Sequence, residues 1–153
     1  MSEFSISCRT FNNGEEIPKR CGYKHENTEP VIDFADIPIE TYTIALIMDD
    51  PDAMAAVGKV WVHWLQCWPI TAEKFPEGLI GISRNNFVVG KNDFGEIGYG
   101  GPAPPDKRHT YIFKAYALNA KLDLKEGYSK QELEDAMKGH IIGEAKLTGT
   151  FAP

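Results

Sequence analysis

Three short clusters in the 153-residue chain hold side chains that could do chemistry. The first, Asp49-Asp50-Pro51-Asp52-Ala53, puts carboxylates at the end of an apolar run. Strands disfavour Asp, although Asp and Pro are also ordinary turn residues, so a plain turn is the competing reading. In the second, Trp61-Val62-His63-Trp64, an imidazole sits among aromatics. Such a histidine must find a hydrogen-bond partner or stay neutral, and it is read either as a satisfied core residue or as a ligand contact. The third, His109-Thr110-Tyr111, places an imidazole and a phenol at i and i+2, on one strand face. Both can donate to an anion's oxygens; an aromatic core strand would look the same. Before it runs Gly98-Tyr99-Gly100-Gly101-Pro102-Ala103-Pro104-Pro105, with glycines that allow close backbone approach and prolines that stiffen. No GxxxxGK[ST] pattern occurs, so this is not a phosphate loop of that kind.

Two carboxylates, two imidazoles and a phenol suit a small phosphoryl or carboxyl ligand. Asp50 would orient a histidine by accepting its other N–H. An imidazolium offers two donors and a charge where neutral imidazole offers one donor, so anion affinity is expected to weaken as pH rises through roughly 6 to 8. Backbone N–H groups of Gly98 to Gly101 are the alternative donors. The same side chains could perform acid–base work, which keeps a small hydrolase with an Asp–His pair as an alternative. No G-x-S-x-G elbow supports it, and Cys67 is the only Ser or Cys in the motif blocks; binding without catalysis is the preferred reading. Asp50, Asp52, His63 and His109 are of types that bind zinc, but no H-x-x-x-H or H-E-x-x-H spacing occurs. No metal and no cofactor are expected.

These residues need strands to carry them. Thr41 to Met48 is near-continuously apolar and β-branched, which predicts a central strand ending at Asp49-Asp50-Pro51. Val60 to Trp68 predicts a second strand, stopped by Pro69. Alternation there puts His63 with Trp61 and Leu65, and Val62, Trp64 and Gln66 on the other face. His109 to Ala120 predicts a third. Phe4, Ile6 and Cys8 alternate as a half-buried strand, and Ala145, Leu147, Gly149 and Phe151 as a last one. Phe87 to Gly90 reads as a short strand. Ser129 to Lys138 predicts the one good helix, opened by a Ser129/Glu132 capping box and stopped near Gly139. Asn12 to Pro30 and Asn92 to Asp106 carry too many Gly and Pro residues for regular structure. Many strands with few helices suggest a β-sandwich with helical decoration.

Composition narrows the classes. The length fits a single domain, residues 1–153. A net charge of −6 argues against bulk nucleic-acid binding. The three cysteines form no CxxC, so neither a disulfide framework nor a structural zinc site is indicated. No basic-then-apolar leader and no apolar run of about 20 residues occurs; a soluble, cytoplasmic chain is expected.

In order and spacing, Asp50-Pro51-Asp52-Ala53, Val62-His63-Trp64, the Gly98 to Pro105 block and His109-Thr110-Tyr111 resemble the signature of the phosphatidylethanolamine-binding family. Gly139-His140-Ile141-Ile142 and Leu147-Thr148-Gly149-Thr150-Phe151 resemble the ending of its compact bacterial and archaeal branch, the Raf-kinase-inhibitor-like proteins. The resemblance implies a mainly β sandwich of antiparallel sheets with one C-terminal helix and short helical turns. It also implies a pocket for phosphate, phosphoethanolamine head groups or small carboxylates, at positions matching Asp50, Asp52, His63, Pro104, His109 and Tyr111. Asp50, His63, His109 and Tyr111 are expected to line one cavity. A regulatory or kinase-inhibitor-like role, a protein partner and a homodimer are compatible with the resemblance. Two departures stand out. Met54 replaces the family's second proline, which implies a different local loop shape, and Thr110 replaces the usual arginine, which removes a fixed forked cation.

Overall fold

The computed structural model describes residues 3–74, 80–82 and 87–153. Its centre is β3, Thr43–Asp50, whose eight residues are all buried. Neighbours cover both faces of this strand, which is why its sequence is apolar without alternation. Ile44, Leu46 and Met48 join one core cluster, while Ala45 and Ile47 join another on the opposite face. Pairing of β3 with β4 (Trp61–Lys74) and β7 (His109–Leu118) is antiparallel on both sides. Beyond β7 lies β8, Ile141–Phe151. Outside β4 lie β5, Ile80–Ile82, and the two-residue β6, Val88–Val89.

A second antiparallel sheet of two strands, β1 (Ser5–Cys8) and β2 (Ile32–Ala35), covers the first core with Phe4, Ile6 and Phe34. The opposite face is closed by α2, Lys130–Met137, through Leu133 and Met137. The result is mainly β, with antiparallel sheets and few helices. No helix among the described residues is long and apolar enough to cross a membrane.

Several strand limits differ from the sequence reading, among them the start of β8 at Ile141 rather than Ala145 and of β3 at Thr43 rather than Thr41. β3 continues through Asp49 and Asp50, and β4 continues through Pro69 to Lys74. Proline is tolerated where its missing N–H faces no ladder partner. The Ile70 N–H is the one that reaches across to Tyr42, 2.9 Å away, so the Pro69 nitrogen points away from β3. Four elements carried no clear signal: β2, β5, a 3-10 turn at Lys19–Cys21, and a five-residue helix α1, Ala53–Val57, directly after the Asp-Pro-Asp turn. Met54 lies in α1, 53% exposed.

α2 begins as expected. The Ser129 Oγ accepts from the Glu132 N–H at 3.1 Å, and the Glu132 carboxylate accepts from the Ser129 N–H at 3.3 Å. Just past the helix, Gly139 takes φ +80°, the left-handed conformation glycine adopts freely. Ser129→Ala is expected to cost about 1 kcal/mol, read as a shift in urea midpoint at constant slope.

Candidate functional site

The strand ends and the Gly/Pro loop meet around a cavity of about 290 Å³. Asp50, His63, His109 and Tyr111 all line it. Asp50 comes from the end of β3 and His109 from the start of β7. Tyr111 lies two residues on and on the same face, with its ring centroid 5.1 Å from that of His63 and 6.4 Å from that of His109.

A β-bulge puts His63 there. Met48 pairs with Trp64, but Asp49 pairs with Val62, so the register breaks and His63 is the extra residue. A bulge re-aims side chains. Here it brings His63 onto the face of Trp64, Tyr111 and Met48, and leaves Val62 and Leu65 together on the opposite face. The expected partition of β4 is therefore corrected: Trp61 and His63 share the cavity as read, while Leu65 leaves their face and Trp64 joins it.

His63 is 2% exposed. Its Nδ1–H donates to the Gly100 carbonyl at 2.7 Å, which leaves Nε2 with a lone pair and no partner among the described residues. Burial lowers its pKa, outweighing the Gly100 carbonyl and the negative charge of Asp50, so this imidazole is neutral near pH 7 and its Nε2 accepts.

His109 is fully buried and differs from the free anion donor expected of it. Nδ1 lies 2.6 Å from Asp50 Oδ2, and Nε2 lies 2.6 Å from Asp106 Oδ1. Burial pulls its pKa down, but the two carboxylates outweigh burial and raise it. His109 is thus an imidazolium held between two carboxylates, with both N–H groups spent. Asp106, three residues upstream in the loop, drew no attention in the sequence. Its i to i+3 spacing from His109 was the one available signal.

The remaining carboxylates work elsewhere. Asp50 Oδ1 accepts the Asp52 N–H at 2.9 Å, so both of its oxygens are engaged. Asp52 does not line the cavity; its Oδ2 accepts the Thr110 N–H at 2.8 Å and ties the turn to β7. Asp49 points to the opposite face, where one oxygen takes Lys114 at 3.1 Å and Lys130 at 3.2 Å, docking α2. Pro104 is buried but does not line the cavity, whereas its neighbours Ala103 and Pro105 do. Two further wall residues, Trp61 and Phe94, were not singled out as contacts in the sequence.

Two buried donors on residues of this wall have no partner among the described residues: Tyr111 Oη and Trp61 Nε1. The Tyr111 hydroxyl lies near Asp50 and the Ala103 backbone but bonds neither with acceptable geometry. Burial first, then the charge of Asp50, raises its pKa, so it stays a protonated donor. Buried polar groups in folded proteins nearly always have partners, so these two are exceptions to the rule. The loop N–H groups are less available: those of Gly98, Gly100 and Gly101 donate to Gly90 O, His63 O and Asn27 Oδ1.

Among the described residues, no group of three or more His, Cys, Asp or Glu is placed to hold a metal ion. A second groove of about 330 Å³ lies between Phe34, Trp64, Trp68, Tyr99 and Glu29. It holds no imidazole and no unpartnered buried donor among the described residues.

The chain was compared with known proteins. The profile of the family described as phosphatidylethanolamine-binding protein matches residues 7–152. A UPF0098 protein of Methanothermobacter thermautotrophicus is 38% identical over 156 residues, covering 96% of this chain and 97% of its own. A UPF0098 protein of Chlamydia muridarum is 39% identical over 150 residues, covering 95% and 97%. Among solved structures, a phosphatidylethanolamine-binding protein homologue from Chlamydia trachomatis superposes with TM-score 0.81 at 33% identity, covering 98% and 97%. Escherichia coli YbcL, described as a member of the mammalian family of that name, gives TM-score 0.79 at 27% identity, covering 98% of both chains.

Proposed function

The chain belongs to the phosphatidylethanolamine-binding protein family, and from that premise we propose that it is a binding protein for a small acid, held in the cavity between His63 and Tyr111. The observation that carries this reading is the pair of buried, unpartnered donors, Tyr111 Oη and Trp61 Nε1, on the wall they share with His63. Both atoms are covered in the free protein, so an acid oxygen pairs with them by displacing the side chains over them, and the apolar side chains of Ala53, Ala56, Val57 and Phe94 fit the ligand's carbon end.

The hydrolase alternative gains little. The Asp50–His109 pair has the geometry of an oriented histidine, but Asp106 takes the ring nitrogen a base would use. Among the described residues that line the cavity there is no Ser, Thr or Cys to act as nucleophile. Binding therefore remains the reading the geometry favours.

Tyr111→Phe tests it. A hydrogen bond to a charged group contributes about 1.5–3 kcal/mol, so acetate affinity at pH 6, measured by calorimetry, is expected to fall about tenfold or more. Removing a buried hydroxyl that has no partner costs nothing in the free protein, so the unfolding free energy is expected to stay level or rise by about 1 kcal/mol. A variant that binds acetate as well as the parent does would overturn the proposal.

A further inference from the structure

Once internal hydrogen bonds are counted, two donors buried behind the cavity wall have no partner among the described residues, Tyr111 Oη–H and Trp61 Nε1–H, and one acceptor is left, His63 Nε2, because the His63 Nδ1–H is spent on Gly100. The complement of that set is a ligand with two acceptor sites and one donor. A carboxylate or a phosphate dianion has acceptors only. A carboxylic acid, or a phosphate monoester with one oxygen protonated, has both.

The charges point the same way. From β7, His109 brings one positive charge, and it lies between Asp50 of β3 and Asp106 of the loop, each 2.6 Å away. The trio sums to one negative charge. On β4, His63 is neutral. Asp93, which acts on His63 from a distance, is paired with Lys59 at 3.0 Å. Helix α1 contributes only Ala53, Ala56 and Val57 to the wall. Lys24, an exposed residue, is the one further cation among the described lining residues. A doubly charged ligand would meet the net negative charge of that trio, with exposed Lys24 as the one lining cation to offset it.

We infer that the cavity takes its acid together with one proton, shared between the ligand and His63 Nε2, and that Asp106 sets the preference for singly over doubly charged acids. This rests on the reading of the cavity as an acid-binding site. Asp106 acts as a ligand built into the chain: its side chain is 42% exposed, and its one side-chain hydrogen bond among the described residues goes to His109 Nε2. Without that carboxylate, the His109 Nε2–H becomes a third donor and its charge is neutralised once instead of twice. The site then suits a dianion.

The experiment titrates the parent and Asp106→Ala with acetate and with methyl phosphate, from pH 6 to 8.5, by calorimetry in two buffers of different ionisation enthalpy. In the parent, acetate binding is expected to take up about one proton near pH 7.5, with affinity falling about tenfold per pH unit above that. At pH 8, Asp106→Ala is expected to bind methyl phosphate about tenfold more tightly than the parent, with acetate changed less. The His109 ring resonances should also titrate at lower pH in the variant, which shows that the contact has been removed. If the parent binds acetate with no proton uptake, or the variant gains no methyl phosphate affinity although its His109 titration has moved, the inference is overturned and the acid-binding site stands. If neither protein binds either acid at any pH, the inference and the site reading fall together.

Discussion

Asp50→Ala is expected to remove about 3–5 kcal/mol of folding stability at pH 6, the loss typical when one partner is taken from a buried ion pair. The Asp50 side chain is 4% exposed and that of His109 fully buried. Deleting the carboxylate leaves the His109 Nδ1–H with no acceptor and also frees the Asp52 N–H that Asp50 Oδ1 accepts. Asp106 still neutralises the ring, so the protein is expected to fold, with a lower urea midpoint. Asp50→Asn keeps an acceptor and loses the charge, so it should cost less, because charge-assisted hydrogen bonds are roughly twice as strong as neutral ones.

The effect should depend on pH with a defined sign. His109 titrates near 6.5 in the unfolded chain, and in the fold Asp50 and Asp106 raise its pKa against the opposing effect of burial. A raised pKa contributes stability that is fully present below about pH 6.5 and is lost as pH rises through the folded value. The gap in stability between parent and Asp50→Ala is therefore expected to narrow on the alkaline side. A gap that widens with rising pH, or no gap at pH 6, would show that the pair is not holding the strand ends together.

Gly101→Ala should be nearly as damaging, for a steric reason. A Cβ at residue 101 would lie 1.9 Å from the Cys21 carbonyl oxygen, and backbone cannot yield as the tip of a side chain can. Overpacking costs about 1–3 kcal/mol where neighbours adjust, so about 3 kcal/mol or more is expected where the neighbour is main chain. The clash falls on a clasp. Asn27 Oδ1 accepts the Gly101 N–H at 2.7 Å, Asn27 Nδ2 donates to the Tyr99 carbonyl at 3.1 Å, and the Tyr99 hydroxyl donates to that same Cys21 carbonyl at 2.8 Å. The adjacent Gly100 carbonyl holds the His63 ring, so the His63 Nδ1 resonance should shift in the variant. Gly143→Ala is the control: its Cβ would meet neighbours at 3.4 Å and beyond, and the change is expected to stay within about 0.5 kcal/mol. Equal stability of the two variants would contradict the close approach.

Features governed by neighbours in the chain were legible in the amino-acid sequence. The apolar run of β3, the capping box of α2, the irregular Gly/Pro loop and the shared face of His109 and Tyr111 all follow from local propensity or from strand alternation. So does the resemblance carried by the ordered motifs, since motif order and spacing are linear properties. Features governed by contacts between distant segments were not. The bulge that turns His63 toward Tyr111 exists because β4 pairs with β3 out of step between Met48 and Asp49, and no period within β4 announces it. Of the adjacent carboxylates, Asp49 serves α2 and Asp50 serves His109, a division made by what packs on each face of β3. Asp52, read as a ligand contact, ties the turn to β7, because the Thr110 N–H, 58 residues away, comes within 2.8 Å of it. Asp106 reaches His109 only because the Pro-rich loop folds back onto the start of β7. Side-chain type and short spacing determine which chemistry a residue can offer, whereas the partner that satisfies or leaves open each hydrogen-bonding atom is chosen by long-range packing. In this chain that choice left Tyr111 Oη and Trp61 Nε1 without partners among the described residues, on side chains that line the cavity, and spent both ring nitrogens of His109 on Asp50 and Asp106.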